Sequence, residues 1–296
     1  MKIAVLGAGM VGRAIAEDLA ISFEVTSFDK SSESLALLAQ KAPSVKTEKL
    51  NLSESESYNK LLKPFDIVVT AVPGFMGFGI LKQVIAAGKN VVDISFSPED
   101  TLQLNTLAKE NNVTAIVDCG VAPGMSNLVL GRYNEEMKVD NFECYVGGLP
   151  KIRKKPFEYK APFSPVDVIE EYTRPARLVE NGQIVTRAAL TEIELMDFEG
   201  VGTLEAFNTD GLRSILHTMQ HIPNMKEKTL RYPGHGELII ALQRSGFFNS
   251  NSIVCKGMDI SPLEYTSAIL FNEWKLQPGE EEFTVMKIVV QGEQEG

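Results

Sequence analysis

Two stretches concentrate the residue types that can do chemistry. The first is GAGMVG, where Gly7, Gly9 and Gly12 take the GxGxxG spacing around Ala8, Met10 and Val11. In such a pattern the first glycine makes a tight turn, the second lets backbone approach a pyrophosphate, and the third lets a helix pack on its strand. The following helix adds the positive end of its dipole, so the spacing predicts a dinucleotide site. Asp29, 22 positions after Gly7, can accept from a ribose 2′-hydroxyl and repel a 2′-phosphate, which favours NAD over NADP. Lys30, Ser31 and Ser32 either soften that preference or cap the next helix. The turn AVPG offers Ala71, Val72 and Pro73 as backbone lining the cofactor, unless it only ends a strand.

The second stretch is VDCGVAPGMSN, residues 117–127, in which Asp118 and Cys119 precede two glycines and a proline. Asp118 is expected at the carboxyl end of a parallel strand, where open α/β sheets bind ligands. The glycines permit close approach of a ring and Pro123 stiffens the chain, so the stretch is expected to floor a cleft beneath a nicotinamide. The competing reading is an interdomain hinge. Cys119 has no flanking His or Lys to make it a thiolate, which favours inert packing, and GMSN lacks the GxSxG context of a nucleophilic serine.

The elements that must position these residues alternate. KIAVL, FEVTSFD, VKTEKLN, DIVVTAV, VVDI and VTAIVD read as strands, with helical stretches between them, including SESESYNKLLK and SPEDTLQLNTLAKENN. Alternation of this kind predicts a doubly wound parallel Rossmann sheet over residues 1–118, the dinucleotide-binding domain. Ser97 is expected to cap the helix that Pro98, Glu99 and Asp100 begin. From residue 119 the alternation breaks down. NFECYVGG reads as a strand, KIRKKPFEYKAPFSP as a basic surface loop or lid, and Asn181-Gly182 as a hairpin turn; a second antiparallel pair turns at EGVG. LRSILHTMQ, HGELIIALQRSG and SPLEYTSAILFNEW read as helices and EEFTVMKIVVQ as a late strand. Residues 119–296 are thus expected to form an α+β substrate-binding domain with an antiparallel sheet.

Composition narrows the partners. Asp and Glu outnumber Lys and Arg 39 to 29 over 296 residues, a formal charge of -10, which argues against nucleic acid or an anionic membrane and suits a cationic small molecule. The amino terminus reaches its glycines too soon for a signal peptide, so it is expected to belong to the fold, and no apolar run approaches a membrane span. Three cysteines without paired spacing suggest neither a disulfide framework nor zinc, and fit a cytoplasmic setting. No residue cluster has metal-ligand spacing.

GAGMVGRAIAEDL, PGFMGFGILKQVIAAGKNVVDISFSPED, DCGVAPGMSNLVLGR, YVGGLP, SPVDVIEEYTRPARLVENGQ, DGLRSIL and KTLRYPGHGELI follow one another in order. Together they resemble the saccharopine dehydrogenase-like enzymes. The resemblance implies NAD-linked oxidation at a carbon bearing nitrogen and a homodimer. It is strongest toward the branch that releases the side-chain amine of L-lysine as ammonia. Cleavage of saccharopine is the nearest alternative, and a non-catalytic NAD-responsive binding protein the alternative of another class. The family continues past the strand matching EEFTVMKIVV, so contacts from a further segment are expected to be missing where this chain stops at Gly296.

Within that reading, the amine must lose a proton before hydride can leave its carbon. Among His217, His221 and His235, only His235 opens a helix after a Pro-Gly turn, which makes it the first candidate for a base titrating near neutrality, with a plain helix-terminal role as the alternative. Asp118 can serve as base or hold the amine. Arg213 and Arg231, in the matching motifs, are candidates to fork a substrate carboxylate, and Tyr232 to donate to it; structural ion pairs and aromatic core are the alternatives. Glu205, Asp210 and Glu237 are expected at the surface, and Lys151, Arg153, Lys154 and Lys155 form a solvated face.

Overall fold

The computed structural model describes residues 1–54, 58–161, 165–277 and 279–294. Parts of the predicted helix SESESYNKLLK (55–57), of the basic loop (162–164) and of the tail (295–296) lie outside the described residues. The chain divides into two compact units, Met1–Gly124 and Met125–Gly296. The division falls six residues beyond the predicted seam, so that the whole 118–124 loop belongs to the first unit.

Unit 1 runs β1 (Lys2–Leu6), α1 (Met10–Leu19), β2 (Glu24–Asp29), α2 (Ser32–Lys41), β3 (Lys46–Lys49), α3 (Tyr58–Leu62), β4 (Ile67–Thr70), α4 (Gly74–Ala86), β5 (Asn90–Asp93), α5 (Asn105–Glu110) and β6 (Ala115–Ile116). The sheet order is β3-β2-β1-β4-β5-β6, and the pairings are parallel. Alternation along β1 sends Ile3 and Val5 into one apolar cluster with Ala16 and Leu38, and Ala4 and Leu6 into another with Phe28, Leu81 and Ile85. A strand buried on both faces demands helices on both, which the chain supplies. Ser31 caps α2 through Ser34 N–H. Ser97 does not cap: Asp100 accepts from Leu102 N–H ahead of a 3-10 turn, while the buried Ser97 hydroxyl has no hydrogen-bond partner among the described residues. The strand order reverses between β1 and β4. The glycine turn follows β1 and the AVPG turn follows β4, so both meet at the switch point where such sheets bind ligands.

Unit 2 runs α6 (Met125–Asn134), β7 (Lys138–Pro150), α7 (Pro165–Thr173), β8 (Ala176–Glu180), β9 (Gln183–Arg187), β10 (Glu194–Phe198), β11 (Gly202–Asn208), α8 (Ile215–Thr218), β12 (Asn224–Arg231), α9 (His235–Arg244), β13 (Ile253–Cys255), β14 (Met258–Ile260), α10 (Pro262–Trp274) and β15 (Glu282–Glu293). Its main sheet follows β10-β11-β12-β7-β15, with the β8–β9 hairpin joined to β12. The Asn181-Gly182 and EGVG hairpins form as expected. The pairings are antiparallel except β12 with β7, which is parallel. β12 went unread in the sequence because NMKEKTLR is mostly polar, yet it lies at the middle of the sheet. Its cations find partners there: Lys226 Nζ is 3.2 Å from Glu143, Lys228 Nζ 2.8 Å from Glu194 and Arg231 Nη2 2.7 Å from Glu171. Over one side of the sheet, Tyr172 of α7, Ile239 of α9 and Leu270 and Trp274 of α10 join Phe207 in one apolar cluster.

Candidate active site

In unit 1 each glycine of the turn has its own reason. Gly7 has φ of 110°, and a Cβ there would lie 2.3 Å from the Ala71 carbonyl oxygen. A Cβ on Gly12 would lie 2.2 Å from the Gly7 carbonyl oxygen, so this glycine lets α1 close onto the turn. Gly9 differs: its φ is -63° and a Cβ would meet no atom within 4 Å. Nothing inside the fold demands glycine at position 9. What remains is the open space in front of it, where backbone can approach a ligand. Gly9 is also the N-cap of α1, with no side-chain cap and no acid in the first turn, so the positive end of this ten-residue helix is left for an outside anion. Met10 and the 40% exposed Val11 begin the helix beside it.

Asp29, at the end of β2, accepts Ala8 N–H at 2.6 Å on one oxygen and Ser31 N–H at 2.7 Å on the other. The acid is thereby pinned beside the glycine turn. Ala71 N–H donates to Leu6 C=O at 2.8 Å, which ties the second turn to the first; Val72 is buried beneath it and Pro73 precedes α4. Phe75, in the first turn of α4, is 61% exposed, a feature the sequence reading passed over.

Asp118 lies two residues beyond β6, which is shorter than VTAIVD suggested. It is buried with φ of 52°. Cys119 is exposed rather than packed, correcting the expectation for it, and its N–H donates to the Asp93 carbonyl at 3.1 Å. The Gly120–Gly124 loop closes so tightly that a Cβ on Gly124 would lie 1.9 Å from the Gly120 oxygen. Beside it, sequence reading missed Asp93. One oxygen of this fully buried carboxyl takes the hydroxyls of Thr70 and Ser95 and the Ser95 N–H. Burial pushes its pKa up to about 6, those hydrogen bonds oppose the shift, and the Asp118 charge adds to it. The VVDIS run marks a strand end, but only the fold shows two acids meeting there.

Unit 2 corrects three expectations. His235 heads α9 but is only 2% exposed. Its Nδ1 faces the Phe157 carbonyl at 3.0 Å and its Nε2 the Tyr172 hydroxyl at 2.9 Å. A carbonyl can only accept, so Nδ1 carries the proton and Nε2 accepts from Tyr172. Burial, with the Arg231 charge behind it, lowers the His235 pKa to about 3, against a small opposing effect of the Phe157 carbonyl. A base titrating near neutrality is therefore not what this environment makes.

Arg231 is 2% exposed, and its fork is engaged within the unit. Nη2 donates to Glu171 at 2.7 Å, Nη1 to the Leu230 carbonyl at 2.9 Å and Nε to the Tyr172 hydroxyl at 3.2 Å, while the guanidinium stacks 4.3 Å from the Tyr159 ring centre. Arg231 holds a protein carboxylate where a substrate's was expected. Tyr232 likewise spends its hydroxyl on the Pro150 carbonyl at 3.0 Å, and the Arg153 guanidinium covers its ring.

Two acids expected at the surface are also buried. Glu205 reaches from β11 to the head of α9, where its carboxylate accepts Gly234 N–H at 2.8 Å and Gly236 N–H, doing the capping that Gly234 cannot. Asp210 takes Arg177 through a bidentate pair, both bonds 2.8 Å. Glu237 is exposed as expected. The basic run is a paired, solvated face: Lys151 meets Glu281, and Arg153 and Lys155 meet Glu158.

Arg213 lies in the same unit. It is buried, with φ of 53°, in the turn after β11. Its charge lies close enough to Arg174 to help burial lower that guanidinium to about 10. With Arg177 nearby on Asp210, three arginines gather around one turn. Among the described residues no group of three His, Cys, Asp or Glu is placed to hold a metal, and no helix is long and apolar enough to cross a membrane.

Residues 3–116 match the saccharopine dehydrogenase NADP binding domain, and residues 120–296 the saccharopine dehydrogenase C-terminal domain. The alpha-aminoadipic semialdehyde synthase of Arabidopsis thaliana is 27% identical over 261 residues, 81% of this chain and 24% of the plant protein. The saccharopine dehydrogenase (NADP(+), L-glutamate-forming) of Saccharomyces cerevisiae is 23% identical over 267 residues, 85% of this chain and 59% of the yeast protein. The chain thus spans between a quarter and three fifths of the length of these curated relatives. The apo structure of histidine-tagged saccharopine dehydrogenase (L-Glu forming) from Saccharomyces cerevisiae superposes with a TM-score of 0.74 at 19% identity, covering 97% of this chain and 80% of that one. That likeness shows the fold. With both units matched in order by the two domains of one family, the chain belongs to the saccharopine dehydrogenase-like family of oxidoreductases.

Proposed function

We propose that the protein is an NAD-dependent amino-acid dehydrogenase of the L-lysine 6-dehydrogenase type, oxidising the carbon that bears the side-chain amine and releasing ammonia. The observation that carries the cofactor half is Gly9, a glycine with open space where a Cβ would be, at the uncapped head of α1. Asp29, pinned by two backbone amides, favours a free ribose 2′-hydroxyl over a phosphate. Bound NAD supplies the hydride acceptor. The residues of the chain handle the rest. Asp118 takes the substrate ammonium, as ion partner and proton acceptor, since hydride leaves only once the nitrogen lone pair is free. Arg213 takes a substrate carboxylate. Loss of hydride leaves an imine; water adds to it, and the carbinolamine collapses to aldehyde and ammonia. His235, Arg231 and Tyr232 frame unit 2 rather than touch the substrate.

A second reading is cleavage of saccharopine, whose three carboxylates call for more cations than lysine does; Arg213 is the candidate for one of them, whereas Arg177 and Arg174 are paired with Asp210 and Glu170. The name of the yeast relative supports this reading.

Absorbance of reduced nicotinamide, followed with NAD or NADP and with L-lysine, saccharopine or ornithine in turn, separates these readings. Growth with NAD and lysine alone is expected. Growth with saccharopine alone transfers the assignment to the second reading, and NAD binding without turnover of any amine marks a binding protein. Arg213→Ala is expected to raise KM for the amino acid about 10- to 100-fold, the value of one charge-assisted hydrogen bond or pair. Asp29→Ala should weaken NAD by a similar factor; unchanged NAD affinity removes Asp29 from the site.

A further inference from the structure

Glu227 lies in β12, opposite Cys144 of β7. It is buried, and nothing in the proposed chemistry uses it. Its Oε2 accepts the Thr209 hydroxyl at 2.9 Å, and the carboxyl also takes the backbone N–H of Gly211. A Cβ on Gly211 would lie 1.9 Å from that same oxygen and 2.2 Å from Cδ. A side chain at the glycine of TDGLRS would have to displace the Glu227 carboxyl. The turn closes over it.

The turn carries more than itself. Asp210, between the two groups bound to Glu227, holds Arg177 by two hydrogen bonds. Two residues beyond Gly211, Arg213 sits in the left-handed region with φ of 53°, a conformation that non-glycine residues keep only where their surroundings over-determine it. Thr209 is fastened on its other side by the Thr229 hydroxyl, 2.9 Å away.

We infer that Glu227 is a positioning residue: its carboxyl fixes the Thr209–Gly211 turn, and the turn holds Arg213 in the conformation that meets a substrate carboxylate. The inference deepens the dehydrogenase reading and rests on it for the identity of the ligand. Glu227 is faced by Glu171 of α7, Asp210 of the turn, Cys144 of β7 and the hydroxyls of Thr209 and Thr229. Burial, then the charges of Glu171 and Asp210, push its pKa up to about 8, against the hydrogen bonds from Thr209 and Gly211. The carboxyl stays protonated through neutrality, and glutamine reproduces its shape without the charge that appears above that pH.

The test compares E227Q, E227A and G211A with the wild-type chain. E227A and G211A are expected to raise KM for the amino-acid substrate at least about tenfold, with kcat and KM for NAD within about twofold. E227Q is expected to keep the wild-type KM at pH 7 and to remove any rise of KM above about pH 8. An E227A protein with unchanged KM, with both KM values raised equally, or with E227Q damaged as badly overturns the inference. Crystal structures of E227A and E227Q decide it independently of turnover. Arg213 should leave the left-handed region in E227A and keep it in E227Q; retention in both overturns the positioning role. A wild-type chain that oxidises no amino acid sinks only the dehydrogenase reading.

Discussion

The glycine turn of unit 1 and the buried polar layer of unit 2 use opposite means. At Gly9, the N-cap of α1, no side chain caps the helix and nothing lies within 4 Å of where a Cβ would be, while the neighbouring Ala8 N–H is taken by Asp29. Around Arg231 the donors belong to side chains, and Glu171, Tyr172 and the Leu230 carbonyl already answer them. An unanswered donor at a surface is an invitation to a ligand; an answered one inside a fold is structure. The difference teaches that residue type alone does not mark a site: Arg231 and His235 have the side chains of catalysis and the surroundings of a core.

The sharpest way to break this comparison is through the glycines. Gly12→Ala forces a methyl against the Gly7 carbonyl and is expected to abolish dinucleotide binding, a loss beyond about a hundredfold in a titration followed by reduced-nicotinamide fluorescence. Gly9→Ala should fold with an unchanged Tm, because its methyl meets nothing, yet still weaken binding. Equal binding by wild type and Gly9→Ala would remove the ligand as the reason for that glycine.

An effect on stability rather than binding is expected from Arg231→Met. It strands the mostly buried Glu171 carboxylate and should cost about 3 kcal/mol of stability, most of it restored in the Arg231→Met/Glu171→Met double variant. Chemical denaturation reads both. A higher substrate KM with intact stability would instead make Arg231 a substrate clamp.

The smallest effect concerns His235. Its folded pKa of about 3 lies below the ordinary 6.5, so the unfolded chain binds the extra proton first as pH falls. Stability that depends on keeping this ring neutral is present above about pH 6.5 and lost progressively toward pH 3. His235→Gln should flatten that acid limb of Tm and leave the pH dependence of turnover near neutrality unchanged. A lost neutral limb in the rate would restore His235 as the base.

Much of unit 1 was legible because its signals are local. The alternating strands and helices and the GxGxxG spacing act over a few residues, and backbone geometry there follows from nearest neighbours. The Asn181-Gly182 hairpin was legible for the same reason. β12 was not, since MKEKTLR reads as surface until Glu143, Glu194 and Glu171 arrive from other elements. Glu205 and Asp210 were misplaced by the same rule: acids default to solvent unless a distant Arg or helix head receives them.

By itself, then, the sequence determined the doubly wound class of unit 1, its glycine turn and the acid that ends β2, because hydrophobic period and glycine spacing write local backbone directly. Tertiary structure alone decided which polar side chains are frame. Asp93 was brought beside Asp118, His235 was held neutral between Phe157 and Tyr172, and Glu227 was set under Gly211. Charge and hydrogen bonding in an interior depend on what lies within a few ångströms, and for these groups those neighbours come from distant parts of the chain.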